Sequence, residues 1–199
     1  MDTANTVEIL KECSAMLEGH FLLSSGRHSD RYFQCARLLQ YPQKAEAALR
    51  PLVQRLLAFR NEGKLKFDAV VGPALGGIVV AYEIGRQLGV PAFWTERDET
   101  GAMALRRGFE VSAGMNILIA EDVVTTGKSS GESIKVLEMA GAKVSALCCI
   151  VDRRAPGVEL ELPFYSAVKL EAANWEASEC PLCKKKLPVL KPGSRKISV

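Results

Sequence analysis

The sequence predicts an α/β fold, built on a parallel sheet with helices on both faces. Two strand–helix–strand units of the same design follow one another in the middle of the chain. In each, a short apolar run leads through a glycine-containing loop into an amphipathic helix and then into a second apolar run, a pattern typical of parallel strands. The 199 residues, 48% of them hydrophobic, are enough for one domain with a core. We therefore predict that residues 1–199 form a single domain.

Two amphipathic helices and a hairpin are predicted ahead of these units. The first helix covers residues 7–17, and the second covers residues 42–59 and starts at a proline. The segment between them, residues 20–35, has the pattern of a hairpin with Gly26 at its turn.

The two units themselves account for most of the predicted sheet. The first is predicted as strand 67–71, helix 78–88 and strand 90–95, and the second as strand 117–120, helix 132–140 and strand 144–151. Gly89 and Gly141 are placed to end the two helices. Residues 98–104 contain turn formers and no apolar period, which predicts a mobile surface loop that leads into a hairpin.

Three loops are expected to meet at the carboxyl ends of the strands, where open parallel sheets bind ligands. They have the sequences GPALGG, EDVVTTGKSS and DRRAPG. The helix that follows the second loop has free amides and about half a positive charge at its start, which favours an anion. A nucleoside-triphosphate loop is excluded, because Asp122 stands where that motif needs its first glycine. The pattern predicts one bound phosphate.

The residues around this turn suggest a sugar phosphate as the ligand. Glu121 and Asp122 can accept hydrogen bonds from sugar hydroxyls or reach a hydrated Mg²⁺, and Gly76 and Gly77 offer amides to a second anion. From these residues alone, a solvated strand end and a plain tight turn remain alternatives.

The segment EDVVTTGKS resembles the phosphoribosyl pyrophosphate signature of the type I phosphoribosyltransferases. Within that family, four segments are similar to the orotate-using members: LLSSGRHSDRYFQ to their hood, VVGPALGG to their pyrophosphate loop, LRRGF to the end of their mobile loop, and IVDRR to their orotate-side strand end. The resemblance covers residues 15–155. It implies the type I phosphoribosyltransferase fold with a small N-terminal hood, largely residues 1–40.

The resemblance also implies a reaction. Orotate would displace pyrophosphate from phosphoribosyl pyrophosphate through its N1 atom, with Mg²⁺ as cofactor, giving orotidine 5′-monophosphate for pyrimidine biosynthesis. Relatives are dimers whose mobile loop reaches the neighbouring site, so a homodimer is expected. Two alternatives from other classes stay open: a regulator that senses phosphoribosyl pyrophosphate without catalysis, and a purine phosphoribosyltransferase.

Residue roles follow from the same resemblance. The residues expected to bind phosphoribosyl pyrophosphate are Glu121, Asp122, Val123, Val124, Thr125, Thr126, Gly127, Lys128, Ser129, Gly76 and Gly77. Orotate is expected to contact Thr125, to accept hydrogen bonds from Arg153 and to stack on Phe33, although chemistry alone also allows a surface arginine and a core phenylalanine.

The chain departs from the family pattern in its cations. Many members carry lysines where this chain has Ser24 and Gly76, and lysine plus histidine in the mobile loop, which here reads DETGAMA. Arg97 and Arg106 are the expected catalytic replacements, ahead of Arg107.

Cysteine usage and charge set the remaining expectations. Six cysteines in a chain of this length, without an export signal at its start, predict reduced thiols and a cytoplasmic protein. Cys180 and Cys183 have metal-ligand spacing but form only half of a tetrahedral site, unless Cys148 and Cys149 or another chain contribute, so no metal ligand is assigned. His20 and His28 are expected to be surface or hydrogen-bonded histidines.

The net charge of +3 is concentrated at the end of the chain. The last sixteen residues hold six basic residues and no acid, including Arg195 and Lys196. Residues 181–199 are therefore predicted to be a solvated basic tail, with no nucleic-acid surface on the body. No apolar run is long enough to cross a membrane, so no membrane partner is expected.

Overall fold

The computed structural model describes residues 3–23 and 25–192. These residues form six helices and nine strands, and the strands belong to two sheets. The strands are β1 (Met16–Leu22), β2 (His28–Phe33), β3 (Ala69–Pro73), β4 (Ala92–Arg97), β5 (Met103–Leu105), β6 (Asn116–Val124), β7 (Lys143–Asp152), β8 (Phe164–Lys169) and β9 (Asn174–Trp175). The helices are α1 (Thr3–Glu12), α2 (Ala36–Leu39), α3 (Pro42–Asn61), α4 (Gly76–Leu88), α5 (Lys128–Met139) and α6 (Pro181–Lys184).

The larger sheet has six strands in the order β5-β4-β3-β6-β7-β8. All neighbouring pairs are parallel except β4 and β5, which form an antiparallel hairpin. After β3 the chain first adds β4 and β5 on one side and then returns to place β6 on the other side. The boundary between β3 and β6 is therefore the point at which the strand order reverses, where α/β sheets bind their ligands.

Alternate residues of the central strands pack on opposite faces of this sheet. On β6, Leu118 and Ala120 belong to the core beneath α1, α3 and α4, whereas Ile117 and Ile119 belong to the core beneath α5. Such alternation is the pattern of a sheet covered by helices on both faces. The predicted fold class is confirmed, and both predicted strand–helix–strand units are present.

Most predicted elements are found with ends shifted by a few residues, and α1 shows the clearest error. We expected this helix to continue to residue 17, but it ends at Glu12. Ser14 has a positive φ of 51°, which a helix does not accommodate, and the chain then enters β1. The hairpin of β1 and β2 forms as predicted, with Gly26 at φ 81° in its turn.

Residues 184–191 are exposed, in line with the predicted solvated tail, but the backbone of this segment pairs with the hood, which the sequence did not indicate. The backbone N–H of Leu22 donates to the carbonyl of Leu190 (2.8 Å), and the N–H of Leu190 donates to the carbonyl of His20 (2.8 Å). The hood is thus completed by the C-terminal part of the chain, through β9, which pairs with β2, and through this segment. An edge strand such as β1 has unpaired backbone groups, and the segment satisfies them. Ser24, Arg195 and Lys196 lie outside the described residues.

The loop expected to be mobile is a short turn between β4 and β5. The Asp98 carboxylate accepts hydrogen bonds from the backbone N–H groups of Thr100 (2.8 Å) and Ala102 (3.0 Å). The predicted hairpin after this loop is not found, because residues 106–115 contain no strand; the loop is instead the turn of the β4–β5 hairpin, and Asp98 holds that turn closed. Within the described part of the chain, no helix combines the length and apolar character needed to cross a membrane.

Candidate active site

The loop after β3 packs directly against the acidic pair on β6. A Cβ atom added to Gly76 would lie 2.4 Å from Oδ2 of Asp122, and one added to Gly77 would lie 2.8 Å from Cδ of Pro73. Both distances are far below van der Waals contact, so these positions require glycine. As predicted, the backbone of the glycine loop lies close to the acidic pair at the end of β6, the neighbouring strand in the sheet.

Glu121 and Asp122 are both withdrawn from solvent. The Oγ of Ser130 donates to Oε1 of Glu121 (3.0 Å), and the backbone N–H of Val123 donates to Oδ1 of Asp122 (2.8 Å). Burial, followed by the neighbouring Asp122 charge, raises the pKa of Glu121 to about 8, and burial also raises the pKa of Asp122. The pair therefore favours a ligand that brings a cation or hydroxyl donors to it.

The turn that opens α5 forms a small cavity. Gly127 has a left-handed backbone (φ 72°), and a Cβ there would lie 2.8 Å from Cδ2 of Leu160. The cavity has a volume of about 70 Å³, enough for one small anion, and is lined by Glu121, Val123, Val124, Thr125, Thr126, Gly127, Lys128, Ser129 and Ser130. The first amides of a helix have no partner within the helix, so they are available to an anion here.

A larger cavity of about 1550 Å³ adjoins this turn and extends beneath the hood. Thr125 and Thr126 belong to the walls of both cavities. The basic residues of the larger wall are Arg27, Arg31, Arg153, Arg154 and Lys191, against the acids Asp30 and Glu171. The excess of cations favours an anionic ligand.

Arg153 differs from the other arginines of this wall because its guanidinium is hydrogen-bonded to no residue that the structure describes. Arg154 donates to Asp152 through Nε (3.0 Å), and Arg27 donates to Asn174 through Nε (2.7 Å). The Arg153 side chain makes no hydrogen bond or ion pair with any described residue, and its buried Nε is unsatisfied. Burial lowers the pKa of Arg153. A desolvated guanidinium without a partner is suited to a planar, oxygen-rich ligand.

Phe33 lies beneath Arg153 and does not line the cavity. Its side chain is buried in the core, and the Arg153 Cζ lies 5.0 Å from the centre of its ring. The predicted stacking of Phe33 on a pyrimidine stays a prediction. Its position instead favours an indirect role, in which the ring supports the guanidinium.

Comparison with known proteins agrees with this geometry. The model of the phosphoribosyl transferase domain family matches residues 44–183. The chain belongs to the phosphoribosyltransferase family. It is 45% identical over 197 residues to the orotate phosphoribosyltransferase of Caldanaerobacter subterraneus subsp. tengcongensis, covering 99% of this chain and 100% of the relative.

Solved structures show the same phosphoribosyltransferase architecture. The orotate phosphoribosyltransferase of Aeropyrum pernix has a TM-score of 0.65 and 28% identity, covering 82% of this chain and 92% of its own. The Mycobacterium tuberculosis H37Rv orotate phosphoribosyltransferase, in complex with inorganic phosphate, has a TM-score of 0.62 and 26% identity, covering 84% and 96%. Membership in the family and the mostly parallel sheet agree with the resemblance inferred from the sequence.

The arginines expected to act in catalysis lie away from both cavities of this phosphoribosyltransferase. Arg97 ends β4 and pairs with Glu132 on α5 (2.6 Å), whereas Nε of Arg106 lies 3.9 Å from Oε1 of Glu96. Arg107 donates to the same glutamate (2.9 Å). All three side chains are about half exposed. Their catalytic role stays a prediction, and within one chain they do not touch the candidate site.

Sequence reasoning missed the cationic wall of the larger cavity. Arg27 and Arg31 lie in the hood segment that carried the family resemblance, but no role was assigned to them. Lys191 reaches the cavity only because the C-terminal segment folds back onto β1, which no local pattern indicated.

Proposed function

We propose that the protein transfers the phosphoribosyl group from phosphoribosyl pyrophosphate to N1 of orotate, giving orotidine 5′-monophosphate and pyrophosphate in cytoplasmic pyrimidine biosynthesis. The observation that carries the choice of orotate is Arg153, whose guanidinium is hydrogen-bonded to no described residue and lies on the wall of a cavity that Thr125 also lines. Orotate has a carboxylate and ring oxygens that match a guanidinium fork, whereas a neutral purine has no carboxylate. The names of the relatives support the same substrate.

The donor is assigned to the loops at the reversal point of the sheet. The 5′-phosphate binds to the amides of residues 125–129, and the ribose hydroxyls donate to Glu121 and Asp122. The pyrophosphate lies against the backbone of Gly76 and Gly77. These assignments follow the sequence prediction, and the close approach of Gly76 to Asp122 supports them.

Mg²⁺ is the proposed cofactor. It prefers oxygen ligands and retains several waters, and the buried carboxylates of Glu121 and Asp122 have raised pKa values that a nearby cation would lower again. When bound, Mg²⁺ supplies positive charge to the pyrophosphate. Glu121, Asp122 and the glycine loop would together hold phosphoribosyl pyrophosphate and the Mg²⁺ bound to it.

The reaction needs positioning and charge stabilisation, with no covalent intermediate on the protein. The bond from ribose C1 to pyrophosphate breaks as the bond from C1 to N1 of orotate forms, and the proton of N1 passes to the departing pyrophosphate or to water. Positive charge develops on the ribose beside Glu121 and Asp122, while glycine amides face the leaving group. Arg153 fixes the plane of orotate so that N1 faces C1.

We further propose a homodimer in which Arg97 and Arg106 act at the neighbouring chain's site. The support is that neither arginine lines the cavity of its own chain, and that both are exposed, Arg97 at the end of β4 and Arg106 directly after β5. A cation from the neighbour would stabilise the departing pyrophosphate.

One assay tests the proposed function. Protein, Mg²⁺ and phosphoribosyl pyrophosphate are mixed separately with orotate, uracil, hypoxanthine or adenine, and pyrophosphate release is followed. We expect turnover with orotate alone. Turnover with hypoxanthine or adenine would contradict the orotate assignment, and tight donor binding without any turnover would indicate a sensor that has lost catalysis.

A further inference from the structure

Four potential metal ligands converge in the hood, away from the candidate active site. They are His20 on β1, His28 on β2, and Cys180 and Cys183 in and beside α6. Their four ligand atoms all lie within 4.8 Å of one another. The sequence predicted reduced thiols in a terminal loop for the two cysteines, and a surface or hydrogen-bonded position for each histidine. Both histidines and Cys180 are buried, and the histidine rings are hydrogen-bonded.

The hairpin explains how the two histidines come together. His28 pairs directly with Leu22 across the strands, so the two residues share a face, and His20 shares that face because it lies two residues before Leu22. The register shifts between Glu18 and Phe21, which places His20 in an irregularity of the strand. Such irregularities re-aim side chains, and here both imidazoles point at α6.

We propose that His20, His28, Cys180 and Cys183 bind one Zn²⁺ that fastens the C-terminal segment to the hood. Two imidazoles and two thiolates form a four-ligand set typical of structural zinc, and mixed sulfur and nitrogen ligands favour zinc over Mg²⁺ or Ca²⁺. With four protein ligands the coordination sphere is closed, so the ion has a structural role and takes no part in the transfer reaction.

Three sulfur–nitrogen distances fit a tetrahedron around zinc. Bonds of about 2.0–2.1 Å to nitrogen and 2.3 Å to sulfur put neighbouring ligand atoms roughly 3.3–3.8 Å apart. Nε2 of His20 lies 3.4 Å from Sγ of Cys180 and 3.7 Å from Sγ of Cys183, and Nδ1 of His28 lies 3.3 Å from Sγ of Cys183. The two ring nitrogens are 2.7 Å apart and would separate by about half an ångström on binding.

A backbone carbonyl orients one of the ligands. Nδ1 of His20 lies 2.9 Å from the carbonyl oxygen of Leu187. A carbonyl only accepts, so Nδ1 carries the proton and donates, which leaves the lone pair of Nε2 directed at the cluster. Metal-bound histidines commonly make this second contact. Leu187 belongs to the C-terminal segment, so the same segment supplies both cysteines and the orienting group.

The ion would connect the end of the chain to the substrate cavity. Beyond Cys183, Leu190 pairs with β1, and then Lys191 and Pro192 contribute to the cavity wall. Fixing Cys180 and Cys183 to the hood hairpin therefore holds this part of the wall in place. This inference does not depend on which base the protein uses.

Metal analysis of wild-type protein, purified without chelator and without nickel affinity resin, tests the proposal. We expect about one zinc ion per chain, lost in the double variant Cys180→Ser/Cys183→Ser and retained in the matched control Cys13→Ala, whose cysteine lies outside the cluster. Removing the ion with a chelator should lower the melting temperature by about 5 °C or more, and adding Zn²⁺ should restore it.

A second measurement keeps the test valid if the double variant fails to fold. Wild-type protein stripped of metal is titrated with Co²⁺, and the visible spectrum of a tetrahedral site with two thiolates is expected at one equivalent. Binding of neither Zn²⁺ nor Co²⁺ would overturn the proposal. So would zinc retained equally in the double variant, or a disulfide between Cys180 and Cys183 in the protein as isolated.

Discussion

The guanidinium of Arg153 lies over the ring of Phe33, with Cζ 5.0 Å from the ring centre, and donates to no described residue. The aromatic ring covers one face of the cation, and the backbone N–H of Arg153 is fixed to the carbonyl of Val124 (2.8 Å). The ring and the strand thus place the guanidinium at the cavity wall, where its donors are free of described protein acceptors.

Arg153→Lys should weaken the use of orotate selectively. Lysine keeps the charge but loses the planar fork, so we expect kcat/KM for orotate to fall about 30-fold, or about 2 kcal/mol, with less than about a threefold change for phosphoribosyl pyrophosphate. Initial rates with each substrate varied in turn measure both values. Arg50→Lys, on an exposed part of α3, is the control and should behave as wild type. Equal losses for both substrates would count against an orotate contact.

Gly76→Ala should disrupt the donor site without unfolding the protein. The new methyl group would lie 2.4 Å from Oδ2 of Asp122, so the carboxylate must turn away from its position. We expect kcat/KM for phosphoribosyl pyrophosphate to fall at least about tenfold, or about 1.4 kcal/mol.

A second glycine substitution provides the matched control. In Gly131→Ala the new methyl group meets nothing within 4 Å, and alanine is favoured over glycine inside a helix by up to about 1 kcal/mol. This variant should keep full activity and unfold at a slightly higher urea concentration. Full activity in Gly76→Ala would show that the glycine loop and Asp122 do not act together.

Much of this arrangement could be predicted because it is local in sequence. β6, its acidic pair, the phosphate turn and α5 follow one another directly in the chain. The sequence also shows the glycine that ends α4 and the glycine that shapes the phosphate turn. Short, continuous apolar runs joined by amphipathic helices then predicted a sheet covered by helices on both faces. Each of these features depends on residues within about one helical turn or one strand of each other.

The hood could not be predicted in the same way, because its contacts join distant parts of the chain. His20 and Cys180 are separated by 160 residues, and they meet only because the segment after β9 returns to the open edge of β1. Phe33 was interpreted as a base-stacking residue, and nothing in its neighbours showed that Arg153 would cover it. β8 and β9 were missed because β8 is a mostly half-buried edge strand and β9 has two residues.

The stability of the ligand-free protein should fall as pH rises toward 8. The pKa of Glu121 is about 8 when folded and about 4.5 when unfolded, so between these values the folded state binds more protons. Its unfolding free energy then decreases with rising pH, by at most about 1.4 kcal/mol per pH unit. Glu121→Gln, which mimics the protonated form, removes this contribution.

Urea unfolding at about pH 6 and pH 8 measures the effect. Between these values, wild-type protein should lose about 2 kcal/mol of stability relative to Glu121→Gln. The control, Glu138→Gln, alters an exposed glutamate on α5 and should follow wild type at both pH values. Parallel changes in wild type and Glu121→Gln would contradict a buried, protonated carboxyl at this position.

Mixing two impaired variants tests whether the hairpin serves the neighbouring site. Arg106→Ala is expected to lower turnover at least tenfold, about 1.4 kcal/mol, because the departing pyrophosphate loses a cation. A heterodimer of Arg106→Ala with Arg153→Ala contains one site with both arginines intact.

Unfolding and refolding the two variants together in equal amounts should restore about one quarter of the wild-type rate per site. Refolding either variant alone is the control and should restore nothing. No recovery in the mixture would indicate that Arg106 acts within its own chain or not at all.

A crystal structure with phosphoribosyl pyrophosphate, Mg²⁺ and an unreactive orotate analogue tests both binding sites at once. We expect the 5′-phosphate within about 3 Å of the amides of residues 125–129 and the analogue's carboxylate paired with both terminal nitrogens of Arg153. A phosphate bound elsewhere, or a pyrimidine that leaves Arg153 without a partner, would contradict these assignments.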